Sequence, residues 1–166
     1  MKKLLMVFAF IGATSIHAQA NTVYFELFGN GLVYSVNYDR MVTDNISVRA
    51  GYGGLTVSST TVDFETSLIL TEDVKITMIP VLGNYLMGDG NHKLEIGGGV
   101  VLVSIDYSGN IEEIDFSIGA DGAIPTGNLG YRYQKPEGGL FFKASLCPFF
   151  GDEMVTSIGL GLGYSF

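Results

Sequence analysis

Residues 154–166 constrain the fold of this chain more than any other segment. Large apolar side chains occupy every second position at Ile158, Leu160, Leu162, Tyr164 and Phe166, and the positions between them hold only Gly or Ser. Because alternate side chains of a β-strand point to opposite faces, this segment predicts a strand with one apolar face and one nearly bare face. A water-soluble sheet normally carries polar bulk on its second face. The pattern therefore favours the wall of a narrow barrel that is slim inside and apolar outside.

The N-terminal segment has the three parts of a secretory signal peptide. Lys2 and Lys3 precede an apolar run, Leu4–Ala13, which is shorter than the ~20 residues that a membrane-spanning helix needs. Ala18-Gln19-Ala20 fits the small-x-small rule for cleavage. We therefore expect residues 1–20 to be a cleaved signal peptide and residues 21–166 to be one mature domain.

The mature sequence divides into eight segments with strand-like patterns. They are Thr22–Gly29, Leu32–Met41, Asn45–Leu55, Val74–Leu86, His92–Ile105, Gly122–Gln134, Leu140–Pro148 and Met154–Phe166. Most connections are short turns, and the two long ones, Thr56–Asp73 and Asp106–Asp121, fall on the side away from both termini. Pro80 disturbs the phase of the fourth segment and predicts a bulge. The layout predicts an all-β fold, an eight-stranded antiparallel up-and-down transmembrane β-barrel.

Charged residues within the strand-like segments fall mainly on the face that carries small side chains. The acids are Glu26, Asp39 and Glu95, and the bases are Arg49, Arg132 and Lys143. On a lipid-facing surface each base would cost ~2–4 kcal/mol near the midplane. Inside a barrel an unpaired charge is also costly, so equal numbers of both signs predict a salt-bridged lumenal charge network.

Aromatic residues collect near the ends of the predicted strands. On the side of the termini they are Tyr38, Tyr85, Tyr131, Tyr133, Tyr164 and Phe166, and on the opposite side they are Phe149 and Phe150. Amphipathic rings favour the boundary between lipid and water. We interpret both sets as interfacial girdles, although ordinary sheet aromatics are the alternative for any single residue.

Several segments resemble small outer-membrane barrel proteins common in Bacteroidetes-like bacteria. These are Asn30–Arg40, Pro80 with Asn84–Leu86, His92–Gly97, Gly130–Gln134 and Gly138–Phe142, and the chain also resembles eight-stranded barrels of the OmpA/OmpX type. The resemblance implies a bacterial outer-membrane location with a structural or cell-surface interaction role. It also implies that Ile158, Leu160, Leu162, Tyr164 and Phe166 form the assembly signal that the barrel-assembly machinery reads. The implied partners are outer-membrane lipid, lipopolysaccharide and, during biogenesis, periplasmic chaperones, with a monomeric barrel as the final state.

The charge balance argues against a nucleic-acid partner. The chain has 17 Asp and Glu against 9 Lys and Arg, whereas nucleic-acid phosphates require a basic face. Many acids fall in the long connections and in Phe149–Glu153, so Ca²⁺ or Mg²⁺ binding by these loops stays open beside simple solvation. The single Cys147 has no His and no basic cluster nearby in sequence, and we interpret it as a small strand residue.

We find no sequence evidence for catalysis, and we predict no catalytic residue, metal or cofactor. A lipid A acyl-modifying enzyme is one alternative, but it needs a His near the outer rim, and His92 falls beside a turn on the side of the termini. A narrow small-solute or ion pore is a second alternative, although eight strands leave an interior that side chains just fill. A lipocalin-like soluble barrel is a third, which the apolar face of the last strand opposes.

Overall fold

The structure is a computed structural model that describes residues 20–63, 68–111 and 114–166. Its described residues form eight strands: β1 Asn21–Phe28, β2 Tyr34–Met41, β3 Ile46–Asp63, β4 Leu68–Met87, β5 His92–Ile111, β6 Ile114–Gln134, β7 Gly139–Phe150 and β8 Met154–Ser165. Each strand pairs antiparallel with its neighbours in sequence, and β8 pairs with β1 to close the barrel. The predicted up-and-down barrel is confirmed. The predicted signal peptide lies almost entirely outside the described residues.

The alternation of apolar and small residues places the apolar set on the outside of the barrel. In β8, Leu160, Leu162 and Tyr164 are exposed, whereas Gly161 and Ser165 on the opposite face are buried. β1 and β7 show the same alternation of burial. We call the end of the barrel that holds Asn21 and Phe166 the terminal end, and the opposite end the projecting end. The wall therefore has an apolar outer surface and a packed interior.

The two connections that we expected to be long loops are mostly strand. β3 pairs with β4 as far as Asp63 opposite Leu68, and β5 pairs with β6 as far as Ile111 opposite Ile114. We predicted loops because Ser, Thr and acidic residues are frequent in these segments. The prediction was wrong because Thr and Val also suit a strand that is paired with its neighbours. Residues 55–63, 68–76, 103–111 and 114–122 extend beyond the neighbouring strands as one four-stranded sheet, the projecting sheet.

Pro80 causes no bulge. Ala50 pairs with Val81 and Gly53 pairs with Met78, so both strands advance equally across the proline. On its other side Pro80 stands opposite Val101 in an unbroken register with β5. Its ring points into the barrel and is buried. The predicted bulge is therefore wrong, and the face assignments continue unchanged along β4.

Most of the aromatics predicted for the terminal end lie on the outer surface. Tyr38, Tyr85, Tyr164 and Phe166 are exposed there. At the projecting end Phe150 is exposed, but Phe149 is buried in the interior and packs with Met78, Val101 and Cys147. Its assignment to an outer girdle was wrong because Phe149 shares the inward phase of Cys147 in β7.

Candidate functional site

The interior of the barrel holds a cluster of four charges, Asp39, Glu95, Arg132 and Lys143. Arg132 Nη2 lies 2.8 Å from Asp39 Oδ2, and Arg132 Nε lies 2.6 Å from Glu95 Oε2. Lys143 Nζ donates to the other oxygen of Glu95 at 2.7 Å. All four side chains are fully buried. Arg132 thus joins a carboxylate of β2 to a carboxylate of β5 across the lumen, which ties opposite walls together.

A second cluster, nearer the projecting end, is built around Arg49. Its guanidinium pairs with Glu26 of β1, its Nε donates to Asn37 Oδ1 at 2.9 Å, and its Nη1 donates to Asn30 Oδ1 at 3.2 Å. Arg49 and Glu26 are fully buried. The structure thus brings the six predicted lumenal charges together as two clusters, one around Arg132 and one around Arg49.

Neutral polar side chains supply further hydrogen bonds to the charges. Asn128 Nδ2 donates to Glu95 Oε1 at 2.5 Å, and Ser47 Oγ donates to Asp39 Oδ2 at 3.1 Å. At the terminal end Gln134 Nε2 donates to Thr22 Oγ1 at 3.0 Å, and the hydroxyls of Thr22 and Ser165 are 2.8 Å apart. A buried charge costs less free energy when it is hydrogen-bonded. This polar layer also closes the terminal end of the lumen.

A short 3-10 turn, Gly29–Gly31, closes the lumen on the other side of the charges, and we call it the capping turn. Asn30 at its centre is fully buried and donates to Thr126 Oγ1 at 2.8 Å across the barrel. Phe28 and Leu32 on either side have φ values of 58° and 61°, in the left-handed region. Gly29 also has positive φ, and a Cβ there would lie 2.6 Å from the Glu26 carboxyl carbon. The sequence predicts a short turn between the first two strands, but it does not predict the inward direction of Asn30.

The face of β8 that carries only Gly and Ser lines the interior where the packing is tightest. A Cβ on Gly159 would lie 3.0 Å from Glu26 Oε1, and one on Gly161 would lie 3.0 Å from the Tyr24 ring. A Cβ on Gly163 would lie 2.2 Å from the backbone oxygen of Val23. The glycines are therefore required by close packing against β1.

An apolar cluster fills the interior at the projecting end. Met78, Val101, Cys147 and Phe149 form it, and Ile76, Val103 and Ile124 pack against it. Cys147 is a free, buried cysteine within this packing. The interior therefore changes from ionic to apolar as the wall leaves the charge clusters and approaches the projecting sheet.

The projecting sheet reverses the polarity of the wall. Because the register is continuous, the faces of β3–β6 can be followed outward from the barrel. The face that continues the lumenal side carries Leu55, Val57, Ser59, Glu72, Val74, Ile76, Val103, Ile105 and Tyr107, and we call it the inner face. The outer face, which is apolar lower down, carries Thr56, Ser58, Asp73, Lys75, Thr77, Ser104, Asp106, Ser108 and Asp121.

Several acids of the predicted loops lie on this sheet with specific partners. Ser104 Oγ donates to Asp121 Oδ1 at 2.6 Å on the outer face. On the inner face the hydrogen bond to Glu72 raises the pKa of the Tyr107 phenol above its usual value. Within the residues that the structure describes, no group of three or more His, Cys, Asp or Glu is arranged to hold a metal ion. Glu65, Glu112 and Glu113 lie outside those residues.

His92 lies at the terminal end, on the outer surface of the barrel. Its Nδ1 is 2.6 Å from the Tyr131 hydroxyl, and its ring packs edge-on against Tyr133. The ring therefore belongs to a group of aromatic side chains on the outer surface, and the Tyr131 hydroxyl is its hydrogen-bond partner.

In the described part of the chain, no helix has the length and apolar character needed to cross a membrane.

Comparisons with known proteins identify similar folds but no family. No protein-family model matches the chain, and no curated protein sequence matches it. The N-terminal β-barrel domain of Pseudomonas aeruginosa OprF is similar in structure, with a TM-score of 0.53 and 20% identity over 90% of this chain and 98% of that one. Ail, the attachment invasion locus protein of Yersinia pestis, solved with the heparin analogue sucrose octasulfate, has a TM-score of 0.55 and 12% identity over 89% and 97%. The chain therefore has the fold of small OmpA/OmpX-like outer-membrane barrels.

Proposed function

We propose that this protein is a resident of the bacterial outer membrane with a structural or cell-surface interaction role and no catalytic centre. One observation carries the proposal, the polarity of the wall. Along the barrel, apolar side chains such as Phe25, Leu129 and Leu162 are exposed outward, while fully buried charges line the interior. An exposed apolar belt of this extent would cause aggregation in water, whereas lipid solvates it.

The filled interior favours this role over a pore. Arg49, Arg132 and Lys143 are paired within the lumen, and the capping turn and the Gln134 layer lie across its two ends. A conducting path would have to separate buried ion pairs, which is costly. An acyl-modifying enzyme is disfavoured because His92 lies at the terminal end with an aromatic environment. What remains available to partners is the projecting sheet.

Assembly and partners follow from the same arrangement. The exposed side chains Ile158, Leu160, Leu162, Tyr164 and Phe166 form a continuous outer stripe that suits recognition by the barrel-assembly machinery after periplasmic chaperones deliver the chain. The mature barrel would then contact lipid and lipopolysaccharide as a monomer. Deleting Phe166 is expected to reduce the amount of protein in the outer-membrane fraction, and an unchanged amount would contradict this assignment.

Cysteine labelling of intact cells tests the location and orientation together. Because native Cys147 is buried, the experiment uses Ser58→Cys in the projecting sheet and Glu137→Cys in a turn at the terminal end. A membrane-impermeant maleimide should label Ser58→Cys in intact cells and Glu137→Cys only after permeabilisation. Protein found in a soluble fraction, or the reverse labelling pattern, would overturn the proposal.

A further inference from the structure

The inner face of the projecting sheet is apolar and accessible. Leu55, Val57 and Ile105 are 40%, 52% and 40% exposed, although they lie beyond the part of the wall that faces lipid. Lipid around the barrel could contact only the outer face of the sheet, and that face is polar at this height. The inner face points over the mouth of the closed barrel, so lipid does not cover it as it covers the apolar belt below. Exposed apolar patches of this kind commonly mark binding sites.

Acidic groups surround this face. Glu72 lies on the inner face itself, two residues beyond Val74 in the direction away from the barrel, where Tyr107 is its hydrogen-bond partner. Asp152 and Glu153 are exposed in the turn between β7 and β8, on the other side of the mouth. Lys75, a basic residue of the projecting sheet, lies on the outer face opposite Asp106. The field over the inner face is therefore negative and complements a cationic partner.

A small apolar pocket lies at the foot of the inner face. Leu32 and Val33 beside the capping turn and Leu55, Ile76 and Met78 of the sheet line it. An apolar side chain seated in a pocket is the usual anchor of a protein interface. The inner face thus offers an anchor site at its base, an apolar surface above it, and the carboxylate of Glu72 beyond that surface.

We propose that the inner face docks a cationic, amphipathic polypeptide segment, with its apolar side chains on Leu55, Val57 and Ile105 and a basic residue near Glu72. This inference rests on the proposed function, which places the sheet outside the cell. A second copy of this chain fits less well, because its inner face carries the same negative charge. Two barrels side by side in one membrane would also overlap before their inner faces met, since each inner face looks over its own barrel.

Binding of synthetic peptides to the complete mature barrel in zwitterionic nanodiscs tests this proposal. The probe is a peptide of about ten residues that alternates Lys and Leu, long enough to span the sheet. A Lys–Ser peptide lacks the apolar face, and a Glu–Leu peptide reverses the charge. We expect the Lys–Leu peptide to bind about tenfold more tightly than either control after subtraction of binding to empty nanodiscs.

Matched variants locate the site on one face. The double variant Val57→Ser with Ile105→Ser should weaken binding of the Lys–Leu peptide by about tenfold, whereas Ser58→Ala with Ser104→Ala on the outer face should leave it within about twofold. Glu72→Gln should weaken binding more than Asp106→Asn, because only Glu72 lies on the inner face. Heat-modifiable migration on a gel verifies that every variant is a folded barrel.

Three results would overturn the proposal. Equal binding of the Lys–Ser peptide would indicate general charge attraction, and equal effects of the inner-face and outer-face variants would exclude the inner face. Self-association of the wild type that Val57→Ser with Ile105→Ser abolishes would identify a second copy as the occupant. Failure of the proposed function is distinguishable, because it would appear as absent labelling of Ser58→Cys in intact cells.

Discussion

The lumen and the projecting sheet are built from the same strands, but they place charged and apolar side chains on opposite faces. In the lumen Arg49 of β3 is buried and paired, while six residues later on the same face Leu55 is exposed. On the outer face of the same strand, the exposed residue is the aromatic Tyr52 in the barrel wall and the polar Ser58 in the projecting sheet. The surroundings explain the difference, since lipid requires the charges inside and water allows them outside. A residue's face in this molecule therefore has meaning only together with its height along the barrel axis.

The largest expected difference between the two regions is in the energy of a single charge. Arg132→Leu leaves Asp39 and part of Glu95 buried without their cation, so the free energy of unfolding should fall by ~3–5 kcal/mol. Asp106→Asn, on the exposed outer face of the projecting sheet, should change it by less than ~0.5 kcal/mol. Denaturant titration in micelles measures both. Similar effects for the two variants would remove the distinction between the regions.

Adding a single methyl group sharpens the comparison between the two faces of the wall. Gly163→Ala places a carbon against the backbone of Val23 and Tyr24, where neither side can yield, and should destabilise the barrel by ~1–3 kcal/mol. Gly83→Ala is the matched control, because nothing lies within 4 Å of its added carbon. The unfolding midpoints in micelles report the difference. A tolerated Gly163→Ala would mean that β8 is less tightly packed than described.

The capping turn separates the two regions, and its central residue should have a moderate effect. Asn30→Ala removes an acceptor from Arg49 and a donor to Thr126, so it should lower stability by ~1–2 kcal/mol. Conductance in planar bilayers should stay at background, because the charge clusters still fill the lumen. A stable open channel in Asn30→Ala would show instead that the capping turn alone closes the barrel.

The smallest expected effect lies in the projecting sheet. The hydrogen bond to Glu72 raises the pKa of Tyr107, so its stabilisation is present at neutral pH and is lost as the pH rises through the folded pKa. Ultraviolet absorbance titration should show one tyrosine with a lower pKa in Glu72→Gln than in the parent. Tyr107→Phe removes that transition and serves as the control. An unchanged titration curve in Glu72→Gln would contradict the pairing.

The sequence predicts the barrel well because its strongest signals are local. The alternation in β8 and the turn residues between strands determine the strand number, the direction and the face of each strand. The segments of the projecting sheet were predicted to be loops because their polarity pattern differs from that of the barrel wall. From Leu55 and Thr56 onward the apolar residues lie on the inner face and the polar residues on the outer face, which is the reverse of the pattern used to recognise the other strands. Phe149 was misplaced for a related reason, since its position at a strand end outweighed its phase.

The geometry of the interior depends on the fold in a way that the sequence does not display. Phase predicts that Arg132 and Asp39 point inward, but their contact across the lumen depends on the stagger of strands that are distant in sequence. The inward direction of Asn30 depends on the positive φ values of Phe28 and Leu32, which no propensity favours. These features arise from closure of the barrel and from competition for its limited volume.

A nitroxide scan along the outer face of β5 tests the central claim, the reversal of polarity along the wall, most directly. Spin labels replace Ile96, Val100, Leu102, Ser104, Asp106 and Ser108 one at a time in a Cys147→Ser background. Collisions with oxygen should dominate at Ile96, Val100 and Leu102, and collisions with a water-soluble nickel chelate should dominate at Asp106 and Ser108, with the crossover near Ser104. Oxygen-dominated collisions at Asp106, or nickel-dominated collisions at Val100, would contradict the account.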